Sequence, residues 1–145
     1  MKLRTIGYEH ATQAAVIDRL KAAGVAVLID VRAVASSRRA GFSKTLLKNS
    51  LAAAGIDYVH LRALGTPKAG RQAVRAGHVA EMEAIYAAHL IEPEAQLQLA
   101  EALDIARDRP AALLCYEADP AHCHRRIIAG RLVAAGDFEV EDLMP

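Results

Sequence analysis

The segment Cys115-Tyr116-Glu117-Ala118-Asp119-Pro120-Ala121-His122-Cys123-His124-Arg125 gathers two thiols, two carboxylates, two imidazoles and one guanidinium. A thiol attacks as its thiolate, and a nearby cation or a helix N-terminus favours that state. Cys123, next to His124 and Arg125, is read as lying in the first turn of a helix that opens at Asp119-Pro120. There the free backbone N–H groups also attract anions. His124 has the chemistry of a general base or proton donor, and Glu117 that of an acid–base or orienting group. Cys115, taken alone, reads as a small buried hydrophobe at a strand end, the usual setting of cysteine. So many reactive groups rarely gather in one turn for packing, which favours a functional reading of Cys123-His124-Arg125.

Asp30-Val31-Arg32, followed by Ser36, Ser37, Arg38 and Arg39, is the second cluster. Asp30 interrupts an apolar strand at its carboxyl end, as a catalytic or arginine-orienting carboxylate does. Arg32 is expected to read either an anionic group or Glu117. Arg38 is a further anion-binding candidate, whereas Arg39 reads as solvated surface charge. Gly7-Tyr8 follows the first strand, where a glycine lets the backbone approach a ligand. His10, His60, His78 and His89 are scattered and read as surface or satisfied histidines. Cys115 to Cys123 is not a usual zinc spacing, and His122 and His124 point apart if helical, so zinc is disfavoured and no metal ligand is assigned; a zinc-stabilised interaction domain stays as a third reading.

These groups need elements to hold them. Short apolar runs at Leu3–Tyr8, Val25–Val31, Ile56–Leu61, Ala111–Tyr116 and Phe138–Leu143 read as strands. Helices are expected from Thr12 to Gly24 and from Ser43 to Gly55. Others run from Val79 to Leu90, from Pro93 to before Pro110 with Leu99, Leu103 and Ala106 on one face, and from Asp119 to Gly136. Ala63–Gly77, with three Gly and one Pro, reads as a long loop. Near-strict alternation argues for a single α/β domain spanning residues 1–145: a mostly parallel sheet of about five strands with helices on both faces. In such sheets sites form at the strand carboxyl ends, where Gly7, Asp30, Arg32, Cys115 and Glu117 fall.

Composition sets the bounds. The chain has 145 residues, 53% of them hydrophobic and 24% charged, which is the composition of a globular domain. Its net charge of +1 does not indicate nucleic-acid binding. The first residues lack the apolar stretch of a secretory signal, and no run approaches a membrane span. The expectation is a cytoplasmic protein with no membrane partner, whose cysteines stay thiols rather than form a structural disulfide. No Walker loop or dinucleotide fingerprint is present, so no cofactor is implied. The sequence does not give the oligomeric state.

Taken together, Thr5-Ile6-Gly7, Asp30-Val31-Arg32 with Ser37-Arg38, Leu64-Gly65, Leu114-Cys115-Tyr116-Glu117 and Cys123-His124-Arg125 resemble the domain of unknown function 488 family, in the same order and over nearly the whole chain. The resemblance implies that these positions form the family's signature, and it supplies no reaction. Many members carry His-Ser where this chain has Tyr8-Glu9. Leu28-Ile29-Asp30-Val31-Arg32 is also distantly similar to a strand of rhodanese-type sulfurtransferases. The tight anion loop of that fold is not matched: Arg125 comes ten positions after Cys115, past Glu117 and Asp119.

The residues therefore point to an enzyme acting on a small anionic substrate, a nucleotide or another phosphorylated molecule. Cys115, Glu117, Cys123, His124 and Asp30 are its catalytic candidates. Arg32, Arg38, Arg125, Gly7 and Tyr8 are its binding candidates. The alternatives are a nucleotide- or nucleic-acid-binding module without chemistry, and a rhodanese-like sulfurtransferase.

Overall fold

The computed structural model describes residues 1–145. Val27–Asp30 (β2) and Ala111–Cys115 (β4) are buried at every position, as strands covered on both faces must be. Lys2–Gly7 (β1) pairs with β4, while Asp57–His60 (β3) and Glu139–Leu143 (β5) form the more exposed edges. All the pairings are parallel, in the order β3-β2-β4-β1-β5. The expected parallel α/β architecture is the one observed.

Alternate strand residues supply the two halves of the core. Ile6, Leu28, Ala112 and Leu114 face Gln13–Ala22 (α1) and Lys44–Ala53 (α2), meeting Val16, Leu20, Leu47 and Leu51. Leu3, Val27, Ile29 and Leu113 face the opposite way. There Lys68–Arg75 (α3), Val79–His89 (α4), Pro93–Asp108 (α5) and Arg125–Ala135 (α6) bring Ala73, Met82, Tyr86, Ala102, Ile128 and Leu132. Each fully buried Leu, Ile or Val contributes roughly 1.5–3 kcal/mol.

This winding opens a crevice. The chain leaves β1 and β2 toward the α1/α2 face, but leaves β4, which lies between them, toward the α6 face. Where neighbouring strands send their connections to opposite faces, the carboxyl ends stay uncovered. Gly7 lies opposite Cys115 in register, and Asp30 lies opposite Leu114.

Three expectations are corrected. Ala63–Gly77 is not a long loop: a 3₁₀ turn spans Arg62–Leu64, and α3 follows Pro67. Gly70 reads as a breaker but is required by packing, because a Cβ there would overlap the Thr66 methyl. The last helix does not begin at Asp119-Pro120. Asp119 Oδ1 caps a separate 3₁₀ turn, Pro120–His122, by accepting from Ala121 N at 2.9 Å. Cys123 is then extended, with φ −127° and ψ 142°, so it precedes α6 rather than sitting in its first turn. Finally, Arg39 is not loose surface charge. Its guanidinium donates to the carbonyls of Glu9 and Ala11, tying the chain after β2 to the chain after β1.

Candidate active site at the carboxyl ends of the strands

Arg125, the first residue of α6, is fully buried, and its side chain runs back under the end of β4. Nη1 donates to the Glu117 carbonyl and lies 3.2 Å from Cys115 Sγ, while Nη2 donates to the Ala118 carbonyl at 3.2 Å. Nε has no partner. None of the ion pairs in the structure involves this guanidinium. Burial lowers its affinity for a proton, and the more distant Asp142, Glu117 and Asp119 only partly offset that. The nearest group able to carry a compensating negative charge is the sulfur of Cys115.

Cys115 and Cys123 are buried, and their sulfurs are joined as a disulfide with Cα atoms 7.3 Å apart. The expectation of free thiols is therefore not met in this state. The extended backbone at Cys123 turns its side chain inward, toward the strand end. Arg125 N donates to Cys123 Sγ at 3.5 Å, and Glu117 Oε2 lies 3.3 Å from Cys115 Sγ. Burial raises the Glu117 carboxyl above its ordinary range, against the pull of Arg125 and Arg75.

His124 is buried too. Its Nε2 is 2.7 Å from the Val31 carbonyl. A carbonyl only accepts, so Nε2 carries the proton and Nδ1 is left as a lone pair, 3.7 Å from Cys123 Sγ. Burial pushes the imidazole pKa down to about 4, and the Arg125 charge acts in the same direction. The ring is thus neutral near pH 7, and Tyr86 packs edge-on against it.

Asp30 and Arg32 form a closed buried pair. Arg32 Nε and Nη2 donate to the two Asp30 oxygens at 2.9 and 2.7 Å, and Tyr58 donates its hydroxyl to the same carboxylate. Arg32 Nη1 donates to Tyr8 Oη and to the Phe42 carbonyl. Burial opposes the Arg32 charge, yet the Asp30 hydrogen bonds and charge hold the guanidinium above its ordinary value. Arg32 therefore pairs with Asp30 and not with Glu117, and four of its five N–H groups are engaged. Gly7 is needed for close approach: a Cβ there would overlap the Glu117 carbonyl.

Over this floor lies a cavity of about 910 Å³. Of the residues singled out by sequence, Tyr8, Arg32, Arg38, Cys115, Glu117 and His124 line it. Asp30, Gly7, Cys123 and Arg125 lie beneath. Sequence reasoning missed Arg71 and Arg75, which α3 projects into the wall, and Tyr116, 43% exposed at the edge. The spacing Lys68, Arg71, Arg75 was the available signal, since three- and four-residue steps share one helix face. Arg38 and Arg75 are exposed and join no ion pair, while Arg71 donates to the Thr66 carbonyl at 2.8 Å.

The geometry separates the site from rhodanese-type and phosphatase loops. Those cradle an anion in successive N–H groups. Here the Glu117 and Ala118 carbonyls turn to Arg125, and the Ala118 N–H is taken by Glu9 Oε1 at 3.0 Å. The model of the family described as domain of unknown function DUF488 matches residues 12–132. The chain belongs to the DUF488 family. The match contains Asp30-Val31-Arg32 and Cys115 through Arg125, whereas Gly7, Tyr8 and Glu9 lie before it. No curated protein and no solved structure matches the DUF488 chain. No helix is long and apolar enough to cross a membrane.

Proposed function

We propose that this DUF488 protein is an enzyme whose Cys115 thiolate attacks a small anionic substrate, a nucleotide or another phosphorylated molecule. The observation that carries the reading is Arg125: a buried cation with no carboxylate partner whose Nη1 stands 3.2 Å from Cys115 Sγ. In the reduced protein of a cytoplasm, thiolate at that sulfur gives the guanidinium its counter-charge.

The substrate's anionic group lies against Arg38, Arg71 and Arg75, whose forked donors suit phosphate. The exposed Tyr116 offers an aromatic wall for a base, with Tyr8 packed behind it. The Cys115 electron pair forms a bond to the electrophilic centre. The bond to the leaving group breaks, and its electron pair takes the proton of Glu117, which stands 3.3 Å from the sulfur. Water entering from the cavity then cleaves the intermediate, returning a proton to Glu117 and the thiolate to Cys115. His124 Nδ1 accepts a hydrogen bond from the Cys123 thiol, and Asp30 acts as a positioning residue by fixing Arg32 against Tyr8.

Alkylation of the reduced protein, read by mass spectrometry, tests this. Cys115 should label faster than a free cysteine at neutral pH, and inorganic phosphate or a nucleoside monophosphate should slow it. A Cys115 that does not label in the folded, reduced protein removes the nucleophile. Labelling that no anion slows removes the anionic substrate. Phosphate binding that persists beside an inert Cys115 supports a binding module without chemistry.

A further inference from the structure

Cys115 Sγ, Cys123 Sγ and a ring nitrogen of His124 all lie within 4.8 Å of one another, Cys123 Sγ stands 3.7 Å from His124 Nδ1, and all three residues are buried. We propose that in the reduced protein these three atoms bind one zinc ion. The inference goes beyond the thiolate reading above and relies on it only for the reduced state of the sulfurs.

The distance between Cys123 Sγ and His124 Nδ1 suits an ion. Two ligands on one tetrahedral zinc stand roughly 3.5–3.8 Å apart, given bond lengths of about 2.3 Å to sulfur and 2.0–2.1 Å to nitrogen. Cys123 Sγ and His124 Nδ1 are 3.7 Å apart. The Cα atoms of Cys115 and Cys123, 7.3 Å apart, are wider than the roughly 4.4–6.8 Å usual for a direct bridge. That width leaves room for an ion between two thiolates once their side chains rotate apart.

The surroundings are an independent argument. Metal ligands are held by a second set of hydrogen bonds that fix the histidine tautomer and support the thiolates. Here each of the three has one. His124 Nε2–H donates to the Val31 carbonyl, which leaves Nδ1 free to ligate. Arg125 Nη1 donates to Cys115 Sγ, and Arg125 N donates to Cys123 Sγ. Two thiolates and an imidazole select zinc over hard cations. Three protein ligands leave the fourth position open. Cys115 and His124 line the cavity, so that position faces it. An ion there covers the Cys115 thiolate and stops its attack, so zinc would regulate the thiol.

Reduced protein stripped with chelator and titrated with cobalt(II) alone should develop the intense near-ultraviolet thiolate-to-cobalt band and the visible bands of tetrahedral coordination at one equivalent. Zinc should displace the cobalt and block alkylation of Cys115. Cys123→Ser and His124→Ala should each weaken zinc binding by more than the roughly tenfold to 100-fold typical of outer-shell substitutions. Circular dichroism establishes that each variant is folded. The unmodified protein decides the matter if they are not, because absence of the thiolate band overturns the proposal. So does one-equivalent binding that both folded variants retain. Prompt alkylation of Cys115 with no cobalt band sinks the zinc site and leaves the thiolate enzyme standing. A cobalt band in a protein whose metal-free Cys115 is inert does the reverse.

Discussion

Arg125 Nη1 lies 3.2 Å from Cys115 Sγ, and no carboxylate answers the buried charge. The pair couples the start of α6 to the end of β4 across ten residues of sequence. The same guanidinium holds the Glu117 and Ala118 carbonyls.

Arg125→Met should therefore slow alkylation of Cys115 in reduced, metal-free protein by roughly ten- to thirtyfold at pH 7, because an unassisted thiol is only a few per cent thiolate there. Two carbonyls lose their donors, so stability should fall by about 1–3 kcal/mol in urea unfolding. An unchanged labelling rate in the folded variant would show that Arg125 does not activate the sulfur.

Asp30→Asn should cost about 3–5 kcal/mol, since it leaves the Arg32 charge buried without its counter-charge. Asp30→Leu combined with Arg32→Met should recover much of that loss. Thermal and urea unfolding measure both. If Asp30→Asn kept full stability and abolished turnover, Asp30 would act on the substrate directly.

Gly7→Ala should destabilise by about 1–3 kcal/mol, because its Cβ collides with the rigid Glu117 backbone. It should also slow Cys115 labelling by moving Glu117. Gly130→Ala, in α6 with open space at the Cβ position, should instead stabilise by roughly 0.5–1 kcal/mol. Denaturant midpoints for the two variants should move in opposite directions.

Arg75→Gln should weaken protection of Cys115 by phosphate several-fold while leaving its rate with neutral iodoacetamide little changed. Arg75 is exposed on the wall, and its loss should not disturb the fold. Equal protection in variant and parent would move the anion away from α3.

Much of the fold was legible because it rests on local pattern. Continuous apolar runs mark β2 and β4 as buried, and Thr12 and Pro93 mark helix starts. The strand-end residues of the site were legible for the same reason: register carries Gly7, Asp30 and Cys115 to one end of a parallel sheet. Helix α3 was hidden because its glycine and the flanking Gly65, Pro67 and Gly77 are local breakers, and only packing against Thr66 shows why Gly70 is tolerated. With α3 went Arg71 and Arg75.

The sequence by itself determined most of the elements, the parallel sheet and the two segments where chemically capable side chains cluster, because propensity and hydrophobic period act over a few neighbouring residues. Only the tertiary structure decided the partners. Spacing alone reads Cys115 and Cys123 as separate thiols of one segment, and reads Arg32 and Arg125 as free to grip a substrate. The 3₁₀ turn and the extended backbone at Cys123 bring the two sulfurs and the His124 ring together. Burial then commits Arg32 to Asp30 and Arg125 to the floor. Such pairings depend on which strand lies beside which, and on charges that must find counterparts once water is gone.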